Sequence, residues 1–323
     1  MEELGLIGII AFVFYTSLSY AAPLIFTGLG AVFSERSGVV NIGLEGIMQV
    51  GAFIGIISNL LLAEMFRGLT PWIAILIAMV IGSLFSLFLA ISSVTFRADQ
   101  IISGTALNML AAGATVFLVK KIYDGKGQTP YIQETITRFD IPVLENIPVL
   151  GPLFFQNVYI TSYLAVLAAI VGWFILFKTP FGLRLRSVGE HPTAADTMGI
   201  KVNRMRYIGV MISGALGGIG GAIFSQTITL DYSAATISGQ GFMAIAAMIF
   251  GKWNPLGMMG AAIFFGFAQS LSVVGTNIPF IQDIPTVYLY ILPYVLTILA
   301  IAGFIGRSVA PKALNTPYIK GQR

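Results

Sequence analysis

The stretch Lys178-Thr-Pro-Phe-Gly-Leu-Arg-Leu-Arg-Ser-Val-Gly-Glu-His-Pro-Thr-Ala-Ala-Asp-Thr-Met-Gly-Ile-Lys-Val-Asn-Arg-Met-Arg206 is a long polar, basic segment between runs apolar enough to cross a bilayer. It carries six cations, Lys178, Arg184, Arg186, Lys201, Arg204 and Arg206, against two acids, Glu190 and Asp196. Membrane proteins hold such basic loops on the cytoplasmic side. The centre of the loop reads as a short helix over Pro192–Met198. Pro192 suits a first turn, residues 193–198 have helix-compatible composition, and Gly199 suits the position just past the end. A short helix at the cytoplasmic face is built to touch something soluble; the alternative is an ordinary polar connector.

Composition sets the wider frame. Of 323 residues, 56% are hydrophobic and 10% charged, and the mean hydropathy is +0.87, whereas in soluble domains about a quarter of residues are charged. The chain therefore reads as one all-α polytopic membrane domain over 1–323. Cysteine is absent, which excludes a disulfide framework, a thiolate nucleophile and a cysteine metal site. The net charge of +4 is distributed by topology, so nucleic acid is not an expected partner. Met1-Glu2-Glu3 lacks a basic n-region, and no cleaved signal is expected. No GxxxxGK[ST] loop is present, so ATP, if it drives this chain, is bound by another subunit. His191, the lone histidine, has no partner for a metal site or a Ser-His-Asp triad.

Working outward from the basic loop, nine apolar segments can be placed. Leu4–Phe33 contains Pro23 and the Gly28/Gly30 pair and is expected to kink or break. Ile42–Ala63, Pro71–Val94, Ile101–Val119 and Tyr159–Phe177 follow. Tyr207–Leu230 carries a small-residue face of Gly214, Gly217, Gly218, Gly220 and Gly221 that lets helices approach closely. Ile237–Gly251 is apolar but short, and Met258–Val274 and Thr286–Phe304 are full length. The loop 120–158 balances its charges and holds four prolines, which suggests an ordered external lid. If Ile237–Gly251 crosses, the basic tail 305–323 ends on the cytoplasmic side. That gives nine crossings, N-terminus outside and C-terminus inside, with 13 of 18 Lys/Arg inside and 9 of 14 acids outside. So brief a crossing must be shielded by neighbouring helices or line a cavity. The Gly-punctuated breaks Gly38–Gly43 and Ser238–Phe242 form a pair of the kind that points to a midplane site.

Within the spans, Glu45 is the acid embedded in an apolar run, a functional candidate by default. Its structural alternatives are to cap backbone amides or to pair with Arg36. Asn41 suits a turn or cap as well as ligand contact. Gln49, Ser103, Asn108, Gln226, Gln240 and Gln269 supply uncharged donors and acceptors for a neutral polar solute, or interhelical hydrogen bonds worth about 0.6 kcal/mol each. Phe242 and Trp253 suit stacking on a planar base, or an ordinary interfacial aromatic role.

Three motifs carry a family resemblance. Gly182-Leu-Arg-Leu-Arg-Ser-Val-Gly-Glu-His-Pro-Thr-Ala-Ala-Asp-Thr-Met-Gly-Ile200 resembles the ATPase-contacting loop of permeases from binding-protein-dependent ABC importers. The branch is the one that handles branched-chain amino acids, simple sugars and nucleosides. Glu35-Arg-Ser-Gly-Val-Val-Asn-Ile-Gly-Leu-Glu-Gly46 resembles a signature of the nucleoside (guanosine-type) subgroup, and Gly239–Gly251 a late segment of the whole branch. The resemblance implies a type II-like ABC importer permease fold in a bacterial cytoplasmic membrane. It implies ATPase coupling through Gly189, Glu190, Pro192, Ala194, Ala195 and Gly199, with Ala194 and Ala195 facing a cleft in the ATPase. It implies no cofactor on this chain, ATP on a cytoplasmic ATPase, a second related permease and an external solute-binding protein or lipoprotein. The implied solute is a nucleoside, with simple sugars and branched-chain amino acids as sister alternatives. An ion-coupled secondary transporter is the competing class, with Glu45 its sole ionisable candidate at depth. A receptor or scaffold is disfavoured by the lack of a soluble domain.

Overall fold

The computed structural model describes residues 6–142, 155–274 and 309–321, together with Glu145, Ile147, Gly151, Tyr288, Ile291 and Val295. Among them, six runs are long and apolar enough to cross a membrane: Ile10–Arg36, Leu44–Thr95, Gln100–Ile122, Ile160–Lys178, Val202–Thr229 and Pro255–Val273. The chain is a multi-pass helical membrane protein. The 52-residue run Leu44–Thr95 doubles back at Arg67, whose φ is +45°. Its two limbs are α2 (Leu44–Phe66) and α3 (Thr70–Phe85), the latter extended by α4 (Leu87–Ala90) and a π-helical turn to Thr95. The other long helices are α1 (Leu6–Arg36), α5 (Gln100–Ile122) and α6 (Ile160–Lys178). Two shorter ones, α7 (Pro180–Glu190) and α8 (Pro192–Thr197), lead into α9 (Val202–Phe224), and α10 (Gln240–Phe250) and α11 (Pro255–Val274) follow. The last expected span, 286–304, lies outside the described residues apart from Tyr288, Ile291 and Val295.

The fold is built around α9, which packs against α1, α2 and α3. Lipid tails are as apolar as leucine, so helices here associate through close packing rather than by escaping water. The glycines make that packing close. A Cβ on Gly82 of α3 would lie 2.5 Å from the Gly214 carbonyl oxygen, and one on Gly30 of α1 would lie 2.8 Å from that of Ser213. Gly218 and Gly221 rest against the carbonyls of Ala78 and Met48, and Gly220 against Thr27. The small-residue face expected from the sequence is therefore used on three sides at once.

Two expectations change. Helix α1 stays helical through Pro23, so of the kink or break expected there the break does not occur; the neighbouring α9 packs at that point, with Gly220 against the Pro23 carbonyl. In the short segment 237–251, the helix is confined to 11 residues, Gln240–Phe250, a length of about 16 Å against a bilayer core of about 30 Å. Helix α10 runs beside the second half of α1, with Ala244 at Gly28 and the Trp253 carbonyl 2.9 Å from Arg36 Nε. Helix α11 then returns antiparallel, Ser270 Oγ donating to the Val13 carbonyl at 3.1 Å. Helix α10 thus begins part-way along α1 and is shielded by α1, α2 and α11, and the chain reaches it through the irregular residues 230–239.

At one end, the described part of 123–159 folds onto the segment that leads to α10. A two-stranded ribbon, β1 (Arg138–Phe139) with β2 (Val158–Tyr159), is antiparallel, and Thr129 and Ile132 donate to the carbonyls of Tyr232 and Leu230, each at 2.9 Å. At the other end, the tail joins the basic loop: Ala313 N–H donates to the Gly189 carbonyl at 2.9 Å and Arg206 Nη1 to the Thr316 carbonyl at 2.9 Å. Tail and basic loop therefore share one face of the molecule.

Close approach at α9 predicts a contrast between two glycines. Gly221→Ala should destabilise by about 1–3 kcal/mol through overpacking, whereas Gly113→Ala, which meets open space on α5, should be neutral or gain up to about 1 kcal/mol of helix stability. Thermal unfolding of the purified chain in detergent reads the difference; equal midpoints would mean that α9 is not packed as described.

Candidate functional site

The two glycine-punctuated breaks meet. Residues 37–43 leave α1 and deliver Glu45 in the first turn of α2, while Gly239, at φ +97°, turns the chain into α10. A helix start leaves backbone N–H groups without partners and carries partial positive charge. The Glu45 carboxylate fills that position: one oxygen accepts from Gly239 N–H, the other from Gly241 N–H at 2.7 Å and Phe242 N–H at 3.3 Å. Gly241 permits it, because a Cβ there would lie 2.5 Å from Glu45 Cα. Of the two structural roles expected for Glu45, the cap is present, but on α10 rather than on its own helix. Arg36 turns away, its Nη1 3.9 Å from Glu190 Oε1.

The neutral polar residues divide. Asn108 accepts from Gly46 N–H at 2.8 Å and donates to the Ile42 carbonyl at 3.0 Å, clamping the start of α2 to α5. Asn41 donates to Ser213 Oγ at 2.9 Å, and its buried Oδ1 has no partner. Gln226 accepts from Asn59 Nδ2 at 2.9 Å at a fully buried position. These three spend amide groups on bonds between separate segments of the chain. Gln240 turns back to accept from Ser238 N–H. Gln49 lies one turn beyond Glu45 and is buried beside Tyr232. Ser103 and Gln269 are half-buried, and Phe242 is 48% exposed at the junction. Glu45, Gln49, Gln240 and Phe242 therefore gather where α2 meets α10, and Asn108 backs them from α5.

Trp253 is not free to stack on a solute. It is buried, and its Nε1 donates to Glu35 Oε2 at 2.6 Å. Glu35 therefore ties the end of α1 to the turn after α10; its place in the Glu35–Gly46 motif, one residue before Arg36, is the sequence signal for it.

On the basic face, Pro192–Thr197 is helical with Met198 closing it, and Gly199 sits at φ +82° with Ile200 N–H bonded to the Ala195 carbonyl at 3.0 Å. Gly189 lies inside α7, not at a turn, and its missing Cβ lets α7 rest on the Arg36 carbonyl. Glu190 Oε2 accepts from Lys312 N–H at 3.4 Å. His191 joins α7 to α8 at φ −144°. Ala194 is exposed and Met198 is 82% exposed, but Ala195 is buried within the chain. The helix thus shows Ala194, not Ala195, to the outside.

The family described as branched-chain amino acid transport system / permease component matches residues 13–301. This chain belongs to that family. It is a transport component, not an enzyme. The guanosine ABC transporter permease protein NupQ of Bacillus subtilis is 59% identical over 320 residues, covering 99% of this chain and all of the relative. The nucleoside ABC transporter permease protein NupC of Lactococcus lactis is 52% identical over 305 residues, 94% of this chain and 96% of the relative. A more distant relative, the guanosine permease NupP of Bacillus subtilis, is 27% identical over 285 residues, 86% of this chain and 78% of the relative.

The Glu45 cap makes a graded prediction. Glu45→Ala strips three N–H groups of a charged acceptor and should cost about 2–3 kcal/mol, lowering the detergent unfolding midpoint by several degrees. Glu45→Gln should fall between it and the parent. Identical midpoints for all three would show that the carboxylate does not hold α10.

Proposed function

We propose that this chain is a permease subunit of an ATP-driven importer that carries nucleosides across a bacterial cytoplasmic membrane. The observation that carries the reading is the 59% identity, over nearly the whole of both chains, to a permease named for guanosine. Supporting it is the junction of α2 and α10, where the buried amides of Gln49 and Gln240 lie behind half-exposed Phe242. A base edge needs hydrogen-bond partners, its ring favours stacking, and uncharged groups suit a neutral solute. ATP belongs to a cytoplasmic ATPase that engages the exposed side of α8, and an external binding protein delivers the solute. Bacillus subtilis holds two guanosine permeases, at 59% and 27% identity to this chain, which supports a second, different permease as the other half of the pathway.

The topology proposed is nine crossings with the N-terminus outside and the C-terminus inside. Location of the tail on the basic-loop face supports it, and so does the irregular entry to α10, which lets a short helix complete a crossing. Alternating access then works by moving rigid groups of helices about a fixed site. Ion coupling is the weaker reading, because Glu45, its candidate, already has three N–H donors.

Uptake of labelled guanosine by cells carrying the complete system should be competed by other nucleosides and not by ribose or leucine. It should persist when the proton gradient and membrane potential are collapsed and stop when ATP is depleted. Competition by a sugar or amino acid with no nucleoside effect would move the chain to a sister specificity, and gradient dependence would overturn the ATP-driven reading.

The placement of α8 gives a paired test of coupling. Ala194→Arg should leave the amount of permease in the membrane unchanged while abolishing copurification with the ATPase. Ala195→Arg should reduce the permease itself, since it forces a charge into a packed site. An Ala194→Arg protein that copurifies and transports at the parental rate would remove α8 from the contact.

A further inference from the structure

Three of the six cations of the basic loop are committed within the chain. Arg206 is buried and holds the tail, Arg186 Nε donates to the Leu176 carbonyl at 3.0 Å, and Lys178 lies 5.7 Å over the Trp173 ring. The other three, Arg184, Lys201 and Arg204, are exposed, form no ion pair among the described residues and line one cavity of about 450 Å³. No carboxylate lines it. The two acids of the loop face elsewhere, Glu190 to Arg36 and Asp196 to Tyr318, whose phenol is pushed up by burial and by that carboxylate.

The cavity does not end at the cations. Ile208 also lines a second, wholly apolar groove of about 530 Å³ formed by α1, α6 and α9 with Met79 of α3 and Phe181 of α7. From Lys201, just before α9, the lining passes along that helix from Arg204 through Ile208 and Ile212 to Ala215 and Ile219, a single helical stripe. From Ile208 to Ile219 is about 16 Å at 1.5 Å per residue, which is one leaflet of a bilayer core of about 30 Å.

From this continuity of cations and apolar groove we propose a binding site for an anionic phospholipid of the cytoplasmic leaflet, its phosphate among Arg184, Lys201 and Arg204 and one acyl chain along the α9 groove. The leaflet assignment rests on the orientation proposed above; the binding chemistry does not. Charge complementarity selects an anionic headgroup over a zwitterionic one, because each basic side chain near the surface adds attraction. The groove selects a lipid over a soluble phosphate.

The test uses the full chain with its partner subunits in nanodiscs of phosphatidylcholine and phosphatidylglycerol at equal amounts, with the lipids retained on the protein identified by native mass spectrometry. Retained phosphatidylglycerol should exceed phosphatidylcholine, and Arg184→Gln, Lys201→Gln and Arg204→Gln together should cut that excess roughly tenfold or more. Ala215→Trp, which fills the groove and leaves every charge in place, should also lower retention. Equal retention of both lipids by the parent, or an excess that survives either variant, overturns the proposal. So does efficient crosslinking of Ala215→Cys to a partner subunit, which would mean that protein covers the groove. The readout is bound lipid, so loss of guanosine uptake with lipid binding intact would count against the transport reading alone.

Discussion

The structure depends on the absence of side chains along one helix. Three helices press on α9 at the distance of backbone contact, and each can do so because Gly214, Gly217, Gly218, Gly220 and Gly221 present no Cβ. In a bilayer this is a main source of cohesion, since helix faces gain little from leaving lipid for one another. Its consequence is uneven rigidity. The group α1, α2, α3 and α9 is locked by many short contacts. Helix α5 joins it along one side only, at the start of α2, through the Asn108 clamp and the close approaches of Gly46 and Gly104, and leaves Ile102, Met109 and Phe117 facing outward.

The same constraint explains how a carboxylate sits inside the fold. An isolated charge in low dielectric is costly unless bonded. Glu45 meets that cost with the start of α10, and α10 in turn is too short to hold its own place by spanning the bilayer. Each solves the other's problem: the helix start needs an anion and the anion needs donors. Gly241 and Gly239 are the backbone conditions for the exchange, one by leaving room and the other by adopting a positive φ.

Much of this was legible in the sequence. The glycine face, the short helix after Pro192 and the pairing of two polar breaks all follow from local chemistry, which acts over a few residues and leaves a periodic or punctuated trace. What was not legible depends on partners distant in the chain. Nothing in the neighbourhood of Glu45 says that its acceptor oxygens meet residues 239–242, and nothing near Ala195 says which side of a two-turn helix is covered. The amides divide in the same way: Asn108 and Gln226 look identical in sequence to Gln49, and only packing separates the clamps from the groups left near the junction. Pro23 does not break α1: its cost is local, while the neighbouring α9 that packs there lies about 200 residues away.

The connection between the basic face and the junction is mechanical and short. Helix α8 is anchored by Ala195, and α7 by Gly189 on the carbonyl of Arg36. Arg36 and Glu35 hold the backbone and indole of Trp253, the turn between α10 and α11. The tail adds a second tie, from Ala313 to Gly189 and from Thr316 to Arg206. A displacement applied to α8 is therefore carried through α7 to the end of α1 and to the foot of α10, whose other end is held by Glu45. A helix of 11 residues gripped at both ends tilts as a rigid body more readily than it bends, because its backbone bonds are internal. Tilting α10 about the Trp253 end loads the bonds that Gly239, Gly241 and Phe242 make to the Glu45 carboxylate. If an ATPase acts on α8 as proposed, those bonds are where its force reaches the polar junction.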